Sequence, residues 1–385
     1  MRNAGARYGM NAIFWENFSR RSRTFMYFEL DTPSLVIDLD AVRTNIAEMA
    51  KTAAAHGVRL RPHIKTHKMP ELARMQLDAG ASGITCAKLG EAEVMADAGV
   101  DDILLAFPIW GEPKLRRLAA LRERARVRVS LDSPEVAAGL GRLGGPPVEV
   151  LVEVDTGQHR LGRPPGRPTA DLVAEIAAAP GVEVVGLLTL AGHAYHSRDR
   201  AELEETARRE GEDLVATAEL CLRDGIELRE ISVGCTPTAR YAAGVAGVTE
   251  IRPGTYIFND TAMMRLGVAT EETAAARVLT TVIARSTPER VVFDAGTKCL
   301  TSDGAGSPGW IRAAGLPYLH LDFLNEEHGV ARLEAGHHGE LPVGTRAQLI
   351  PSHACAAVNL FDVAHGVEGG RVTTELRVAA RGAVR

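Results

Sequence analysis

The chain has 385 residues, of which 45% are hydrophobic and 24% charged, with a formal net charge of −5 at pH 7. This composition is typical of a globular protein of about two domains. The absence of a basic excess and an aromatic content of only 5% argue against a nucleic-acid-binding protein. No apolar run in the sequence is long enough to cross a bilayer, which argues against a membrane protein.

The five cysteines are scattered along the chain without paired spacing. This pattern argues against a disulfide framework and indicates a reducing, cytoplasmic compartment. Residues 1–31 are predicted to be an N-terminal tail or extension, since they lack the continuous apolar stretch of a signal peptide.

From residue 35 onward, short β-branched segments alternate with Ala/Leu-rich segments of helical periodicity. In the first helix, Asp40 is placed to cap the start, Val42, Ile46 and Met49 share one face, and Gly57 can end it. Eight strands are predicted, at 58–62, 83–87, 103–107, 127–131, 148–154, 184–190, 227–233 and 248–252. Helices are predicted between most of them, at 70–78, 90–98, 112–125, 134–143, 169–178 and 200–224.

This alternation predicts an α/β fold, a (β/α)₈ TIM barrel over residues 32–267. A doubly wound open sheet would show the same alternation, because closure of a sheet leaves no local signal in the sequence. After residue 267, short β-rich segments separated by turns predict a second, mostly antiparallel β domain over 268–385.

In such barrels the catalytic groups follow the strands at their carboxyl ends, and the unusual residues of this sequence lie there. Lys65 follows the first strand and is a residue type that forms Schiff bases when its pKa is lowered. A solvated basic loop would explain the same run of residues. Arg160 follows the fifth strand and could bind a phenolate or carboxylate, or could pair with a surface acid.

After the sixth strand, His193 and Tyr195 offer groups for acid–base chemistry, although a polar rim would contain the same residues. The loops after the seventh and eighth strands combine small hydroxyl residues with glycines, whose backbone amides can approach a phosphate. These loops therefore predict one phosphate site, with two ordinary turns as the alternative. The candidate residues are Gly234, Thr236, Gly254, Thr255 and Tyr256.

His353 and Cys355 follow a predicted strand of the second domain. Residues i and i+2 of an extended chain face the same side, so the two side chains could share a divalent metal. A His/Cys pair suits zinc, and a site with two protein ligands leaves positions for water or substrate. A buried cysteine beside an exposed histidine is the alternative.

Together these segments resemble the D-threonine aldolase/D-serine dehydratase family, which is related to alanine racemase and belongs to fold type III of the pyridoxal-phosphate (PLP) enzymes. The resemblance extends over residues 32–380 and depends on the joint order of its blocks. The blocks are RPHIKTHK (61–68), EVDTGQHRLG (153–162), GHAYH (192–196), SVGCTPT (232–238), EIRPGTY (250–256), DAGTKCLTSD (294–303), NEEHG (325–329) and PSHACAAVNLFD (351–362).

The resemblance implies a PLP-binding barrel followed by a β domain, a homodimer, and a small D-amino acid as substrate. It implies that Lys65 forms the Schiff base with PLP and that Arg160 contacts its phenolate. The phosphate would be held by the loops that carry Gly234, Thr236, Gly254, Thr255 and Tyr256.

By the same resemblance, His193 and Tyr195 would line the pocket, and His353 and Cys355 would bind zinc or manganese. In dimers of this fold type, the β domain of one subunit usually closes the site of the other.

Two reactions are open within the family, since PLP is the electron sink and the protein decides which bond at Cα breaks. For dehydration, Lys65 would take the Cα proton and the metal would help hydroxide leave; D-serine, D-threonine or 3-hydroxy-D-aspartate would give a keto acid and ammonia. For retro-aldol cleavage, His193 or a neighbouring imidazole would take the hydroxyl proton, and the products would be glycine and an aldehyde. Cys355 favours the dehydratase, because some aldolases of the family have aspartate at this position.

Two further alternatives explain less of the sequence. A PLP-binding protein without turnover would account for Lys65 but not for the second domain or the His353/Cys355 pair. A racemase would carry other signatures around its lysine and would lack the metal pair.

Overall fold

The computed structural model describes residues 30–307 and 309–385, in two sheets of eight and nine strands. All but the last two residues of the predicted N-terminal extension lie outside the described residues. Within the described part of the chain, no helix is both long and apolar enough to cross a membrane.

The eight-stranded sheet is parallel, and each of its strands overlaps a predicted one. The barrel strands are Arg59–Leu60, Ile84–Cys86, Asp102–Leu105, Arg126–Leu131, Val148–Glu153, Val182–Leu188, Glu230–Val233 and Glu250–Ile251. The eighth strand pairs with the first through Arg59 and Glu250. The first and second strands are joined by a bridge between His63 and Thr85. The sheet therefore closes, which confirms the predicted barrel and excludes the open sheet.

Helices connect the barrel strands, and the six that were predicted begin within two residues of the predicted positions. The connecting helices are Pro70–Asp78, Leu89–Asp97, Glu112–Arg122, Pro134–Gly141, Arg167–Ala177, Arg200–Arg223 and Thr236–Ala242. Only the short helix Thr261–Arg265 follows the eighth strand, after the turn Thr255–Ile257. The helix Leu39–His56, which precedes the first barrel strand, packs against this turn and against Thr236–Ala242.

The N-cap of the helix Leu39–His56 lies two residues before the predicted one. Asp38, in an extended conformation, accepts hydrogen bonds from the amides of Asp40 and Ala41. The prediction that Asp40 caps the helix is wrong, because its carboxylate accepts the amide of Gly369 instead. Gly57 ends the helix as predicted, with a φ of 66° that favours glycine.

The nine-stranded sheet is mostly antiparallel. Its strands are Ser34–Asp38, Ala276–Thr287, Arg290–Phe293, Arg312–Ala313, Leu319–Leu324, Gly329–Leu333, Arg346–Ile350, Val363–Glu368 and Arg371–Arg377, with the short helices Thr297–Leu300 and Ala354–Val358. The long strand Ala276–Thr287 pairs with both Arg290–Phe293 and Arg346–Ile350. The six strands between residues 276 and 350 therefore close on themselves around an apolar core that includes Phe293 and Leu349.

The strand Ser34–Asp38 belongs to this second sheet. It pairs antiparallel with Ala276–Thr287 and parallel with Val363–Glu368. In the predicted division it fell within the barrel domain, 32–267. From residue 34 onward, the chain therefore contributes one strand to the β domain, builds the barrel, and then returns to complete the β domain.

Candidate active site

Lys65 lies in the turn Ile64–Thr66, directly after the first barrel strand. The turn begins at His63, whose Nδ1 accepts the amide hydrogen of Lys65 at 3.4 Å. The lysine side chain is half-buried, and no carboxylate lies within 4 Å of its ammonium among residues 30–307 and 309–385. Its amine is therefore not engaged in an ion pair at the carboxyl end of the barrel.

The histidines on either side of Lys65 are buried and neutral. Burial, together with the charges of Lys65 and Arg252, holds the pKa of His63 well below its usual range. Burial lowers the pKa of His67 to about 4; its Nδ1 accepts the Met69 amide, so its Nε2 donates to Gln76. This burial excludes the alternative of a solvated basic loop.

The predicted metal pair lies beside this turn in the same subunit. His353 precedes the short helix Ala354–Val358, which carries Cys355. Cys355 Sγ lies 3.1 Å from the hydroxyl of Thr66 and 3.7 Å from that of Thr255. Since Thr66 adjoins Lys65, one chain brings together the candidate cofactor lysine and both candidate metal ligands.

The pair reaches this arrangement by a different backbone from the predicted one. His353 is extended, with a φ of −143°, but Cys355 is helical. The i, i+2 argument for an extended chain is therefore wrong at Cys355. The two side chains nevertheless lie close enough for each to shift the pKa of the other.

The chemistry of the pair fits a divalent metal. The hydrogen bond to Cys355 raises the pKa of His353 to about 10, despite burial and with further support from Asp303. Burial opposes ionisation of Cys355, but the hydrogen bond and charge of His353 and the charge of Lys65 hold the pKa of the thiol below its usual value. A thiolate and an imidazole are donors that zinc prefers.

Asp303 contributes the outer part of this arrangement. Its Oδ2 lies 2.9 Å from Nδ1 of His353, so Nε2 is the ring nitrogen left for a metal. No three His, Cys, Asp or Glu side chains gather as a metal cluster in the described parts of the chain. A metal held by His353 and Cys355 would therefore retain positions for water or substrate.

Tyr195 and His193 lie in the turn Gly192–His196, after the sixth strand. Burial and the nearby sulfurs of Cys235 and Cys355 raise the pKa of Tyr195 well above its usual value, so it is a neutral phenol beside the metal pair. Partial burial lowers the pKa of His193, and its buried Nδ1 has no hydrogen-bond partner among the described residues. Both groups can therefore exchange hydrogen bonds with a bound molecule.

Arg160 is half-exposed at the mouth of the barrel, with Nη2 3.7 Å from Glu153 Oε1. Because Glu153 is buried, this contact differs from the surface ion pair considered as the alternative. The charge of Arg160 also contributes to the lowered pKa of His63, so the guanidinium lies on the side of the barrel that carries the Lys65 turn.

The two candidate phosphate loops contact one another and the lysine turn. The hydroxyl of Thr236 accepts the amide of Tyr256 at 3.0 Å. Gly234 has a φ of 104°, which favours glycine. At Gly254 an added Cβ would lie 3.0 Å from Thr66 Oγ1, so the close approach of the backbone favours glycine there too.

Tyr256 differs from the other candidates in these loops. Its side chain is buried, and its hydroxyl accepts a hydrogen bond from Gln76 at 2.9 Å, within the His67 network. The phenol is thus committed to the barrel wall. Only the backbone of Tyr256 remains as a candidate contact for a phosphate.

Two family models together match most of the chain: the alanine racemase N-terminal domain over residues 37–261 and a putative serine dehydratase domain over residues 275–367. The D-threo-3-hydroxyaspartate dehydratase of Delftia sp. (strain HT23) is 37% identical over 349 residues, which cover 85% of this chain and 91% of that protein. The D-threonine aldolase of Arthrobacter sp. is 35% identical over 360 residues, which cover 92% and 93%.

The chain belongs to the D-threonine aldolase/D-serine dehydratase family. The predicted resemblance is thereby confirmed, and the family is one of alanine racemase-like PLP enzymes. The crystal structure of a D-threonine aldolase of this family, from Filomicrobium marinum, superposes with a TM-score of 0.87 at 33% identity and covers 93% of this chain and 97% of its own. A cysteine-to-alanine variant of a D-threo-3-hydroxyaspartate dehydratase is known in a metal-free form, and its structure superposes with a TM-score of 0.82 at 34% identity and covers 91% of this chain and 98% of its own.

The barrel of this chain also contains buried charged groups that were not predicted from the sequence. Arg252 is buried at the end of the eighth strand and donates to Thr189 O and Ser232 Oγ. A role for Arg252 could have been predicted, since it directly precedes the Pro-Gly pair of the second phosphate loop. The burial of Glu210 could not have been predicted in this way, because acidic and basic residues surround it on its helix.

Glu210 is a buried carboxyl behind the first phosphate loop. Burial raises its pKa to about 7. Neither oxygen makes a hydrogen bond of good geometry, although the Thr238 hydroxyl, the Ala191 amide and the charge of Arg252 favour the ionised form. The pKa of Glu210 is therefore higher in the folded protein than in the unfolded one. Its contribution to the free energy of unfolding is fully present below about pH 4.5 and is lost as the pH rises through about 7.

Glu210→Gln is expected to remove this pH dependence and to raise the free energy of unfolding at pH 8 by up to about 3 kcal/mol. Urea unfolding of both proteins between pH 5 and pH 8.5 measures the difference. Glu219→Gln, an exposed position on the same helix, is the control. Equal pH profiles for wild type and Glu210→Gln would contradict the expectation.

Proposed function

We propose that this protein is a PLP- and divalent-metal-dependent lyase that acts on β-hydroxy D-amino acids, with dehydration to a keto acid and ammonia as its reaction. The observation that carries the proposal is the 3.1 Å contact between Thr66 and Cys355. It sets the His353/Cys355 pair beside Lys65, so that a metal and a cofactor could act on adjacent carbons of one small substrate.

The residues present fit both groups. Lys65 would hold PLP, Arg160 would face its phenolate, and the loops with Gly234, Thr236, Gly254, Thr255 and the backbone of Tyr256 would hold its phosphate. PLP supplies an electron sink when bound, and the metal at His353 and Cys355 supplies Lewis acidity toward a hydroxyl group.

The protein's own groups divide the proton transfers. As an uncharged amine, Lys65 could accept the proton from Cα of the substrate, and no carboxylate partner within the described structure holds its nitrogen. Tyr195, as a neutral phenol, can donate a hydrogen bond to the departing hydroxyl near Cys355. The histidines on either side of Lys65 are neutral, so they add no further positive charge beside the lysine.

Retro-aldol cleavage is the second candidate, and the unpaired Nδ1 of His193 favours it. A neutral imidazole without a partner can take the proton of a β-hydroxyl. The similar identities to a dehydratase and to an aldolase, 37% and 35%, leave both reactions within the family. Cys355 as a metal ligand is the feature that favours dehydration.

A product assay distinguishes the two reactions. The protein loaded with PLP and zinc is incubated with D-threo-3-hydroxyaspartate, D-serine and D-threonine in separate reactions. Keto acid and ammonia in equal amounts are expected. Glycine with an aldehyde would instead establish the aldolase, and turnover of none of the three would overturn the proposed function.

We further propose zinc as the metal, a homodimer as the assembly and the cytoplasm as the location. Zinc follows from the thiolate donor of Cys355. Metal analysis of protein purified without added metal tests the choice of zinc, with manganese as the contrary result. Light scattering coupled to size-exclusion chromatography tests the homodimer, and cell fractionation tests the cytoplasmic location.

A further inference from the structure

Asp260 connects the barrel to the loop that carries the metal pair. It follows the eighth barrel strand, is 1% exposed, and begins the helix Thr261–Arg265. Its Oδ1 accepts the amide of Met263 at 3.0 Å, as a helix N-cap does. Its Oδ2 accepts the amide of Ala354, also at 3.0 Å. Ala354 lies between His353 and Cys355, so the carboxylate fixes the backbone that sets the spacing of the two ligands.

Neighbouring contacts make this connection rigid. The Thr261 amide donates to Pro351 O at 3.2 Å, and the Thr261 hydroxyl donates to Trp310 O at 2.7 Å. Pro351 ends the strand that leads to His353. The segment 260–261 therefore holds both sides of the metal-pair loop from the barrel.

The charge of Asp260 points to a cation at the same place. Asp260 forms no ion pair with any residue in the described ranges 30–307 and 309–385, and a buried carboxylate is costly unless compensated. Two backbone amides compensate it in part. A divalent cation held by His353 and Cys355 would complete that compensation.

We propose that Asp260 is a positioning residue for the metal: its two carboxylate oxygens hold the helix Thr261–Arg265 and the Ala354 amide together, and thereby set the separation of His353 and Cys355. This inference rests on the metal site of the proposed function. It assigns to a residue of the barrel the geometry of a site whose ligands come from the β domain.

Asp260→Asn tests the proposal. Asparagine caps helices about as well as aspartate, but it has only one acceptor oxygen. Its side chain can therefore accept the amide of Met263 or that of Ala354, but not both. Zinc affinity, measured by chelator competition, is expected to fall about 10- to 100-fold, as for other groups that orient metal ligands. PLP content should be unchanged, and the thiolate-to-metal absorption of the cobalt-substituted protein should weaken.

Asp38→Asn is the matched control, because Asp38 also caps a helix and also accepts two backbone amides, but away from the metal pair. Asp260→Ser, which keeps one capping oxygen and loses the other, decides the question if Asp260→Asn does not fold. Zinc binding by both Asp260 variants as tight as that of Asp38→Asn would overturn the proposal. If wild type binds zinc no better than His353→Ala, the metal site itself fails, and the inference fails with it.

Discussion

Replacing Lys65 by alanine is expected to abolish turnover, by at least about 10³-fold in kcat/KM, together with covalent attachment of PLP. The lysine emerges directly from the first barrel strand, its ammonium is not engaged by a carboxylate within the described structure, and the phosphate loops contact its turn at Gly254. Lys65→Arg should be equally inactive, since a guanidinium retains the charge but neither attaches the cofactor nor accepts a proton at neutral pH.

Borohydride reduction followed by peptide mass mapping measures the attachment, and the product assay measures turnover. Lys51→Ala, at an exposed position, should behave as wild type in both. Attachment of PLP to a different lysine, or turnover by Lys65→Ala at wild-type rates, would contradict the assignment.

Replacing Cys355 by alanine is expected to weaken metal binding while leaving PLP binding intact. The thiolate is one of two candidate ligands, so zinc affinity should fall by more than about 100-fold and turnover should fall with it. PLP should stay attached, since Lys65 and the phosphate loops belong to the barrel. Binding of a metal displaces the proton that the His353/Cys355 pair holds, so the zinc affinity of wild type should also weaken as the pH falls.

Cys355→Asp provides the sharper comparison. A carboxylate in place of the thiolate should retain a metal but change the preference from zinc toward manganese, which favours oxygen donors. Metal content and product distribution of the two variants are measured together, with His328→Ala as an exposed histidine control. Full zinc occupancy in Cys355→Ala would show that the metal lies elsewhere.

The strands and helices of the barrel were predictable because each gives a local signal. Alternation, capping residues and the spacing of turns located all eight strands, and the residues at their carboxyl ends proved to share one face of the barrel. The motif blocks identified the family for the same reason, since each block is a short contiguous segment at the end of a strand.

What the sequence could not reveal are partnerships between distant segments. The strand Ser34–Asp38 has the same composition as a barrel strand, and only its pairing with residues beyond 276 assigns it to the β domain. The contact between His353 and Asp303 spans 50 residues, and that between Asp260 and Ala354 spans 94. Tyr256 lies within a phosphate-loop motif, yet the burial that commits its phenol to Gln76 depends on a helix 180 residues away.

The path of the chain through its two sheets makes the barrel and the β domain hard to separate from one another. The barrel is in effect an insertion within the β domain, because Ser34–Asp38 precedes it and Ala276–Thr287 follows it. Leu35 and Ile37 are fully buried against the barrel core while their backbone bonds to the other sheet. After a single proteolytic cut between residues 266 and 274, the strand Ser34–Asp38 would still hold the two fragments together. A truncated barrel that starts after this strand would instead expose the surface that Leu35 and Ile37 cover.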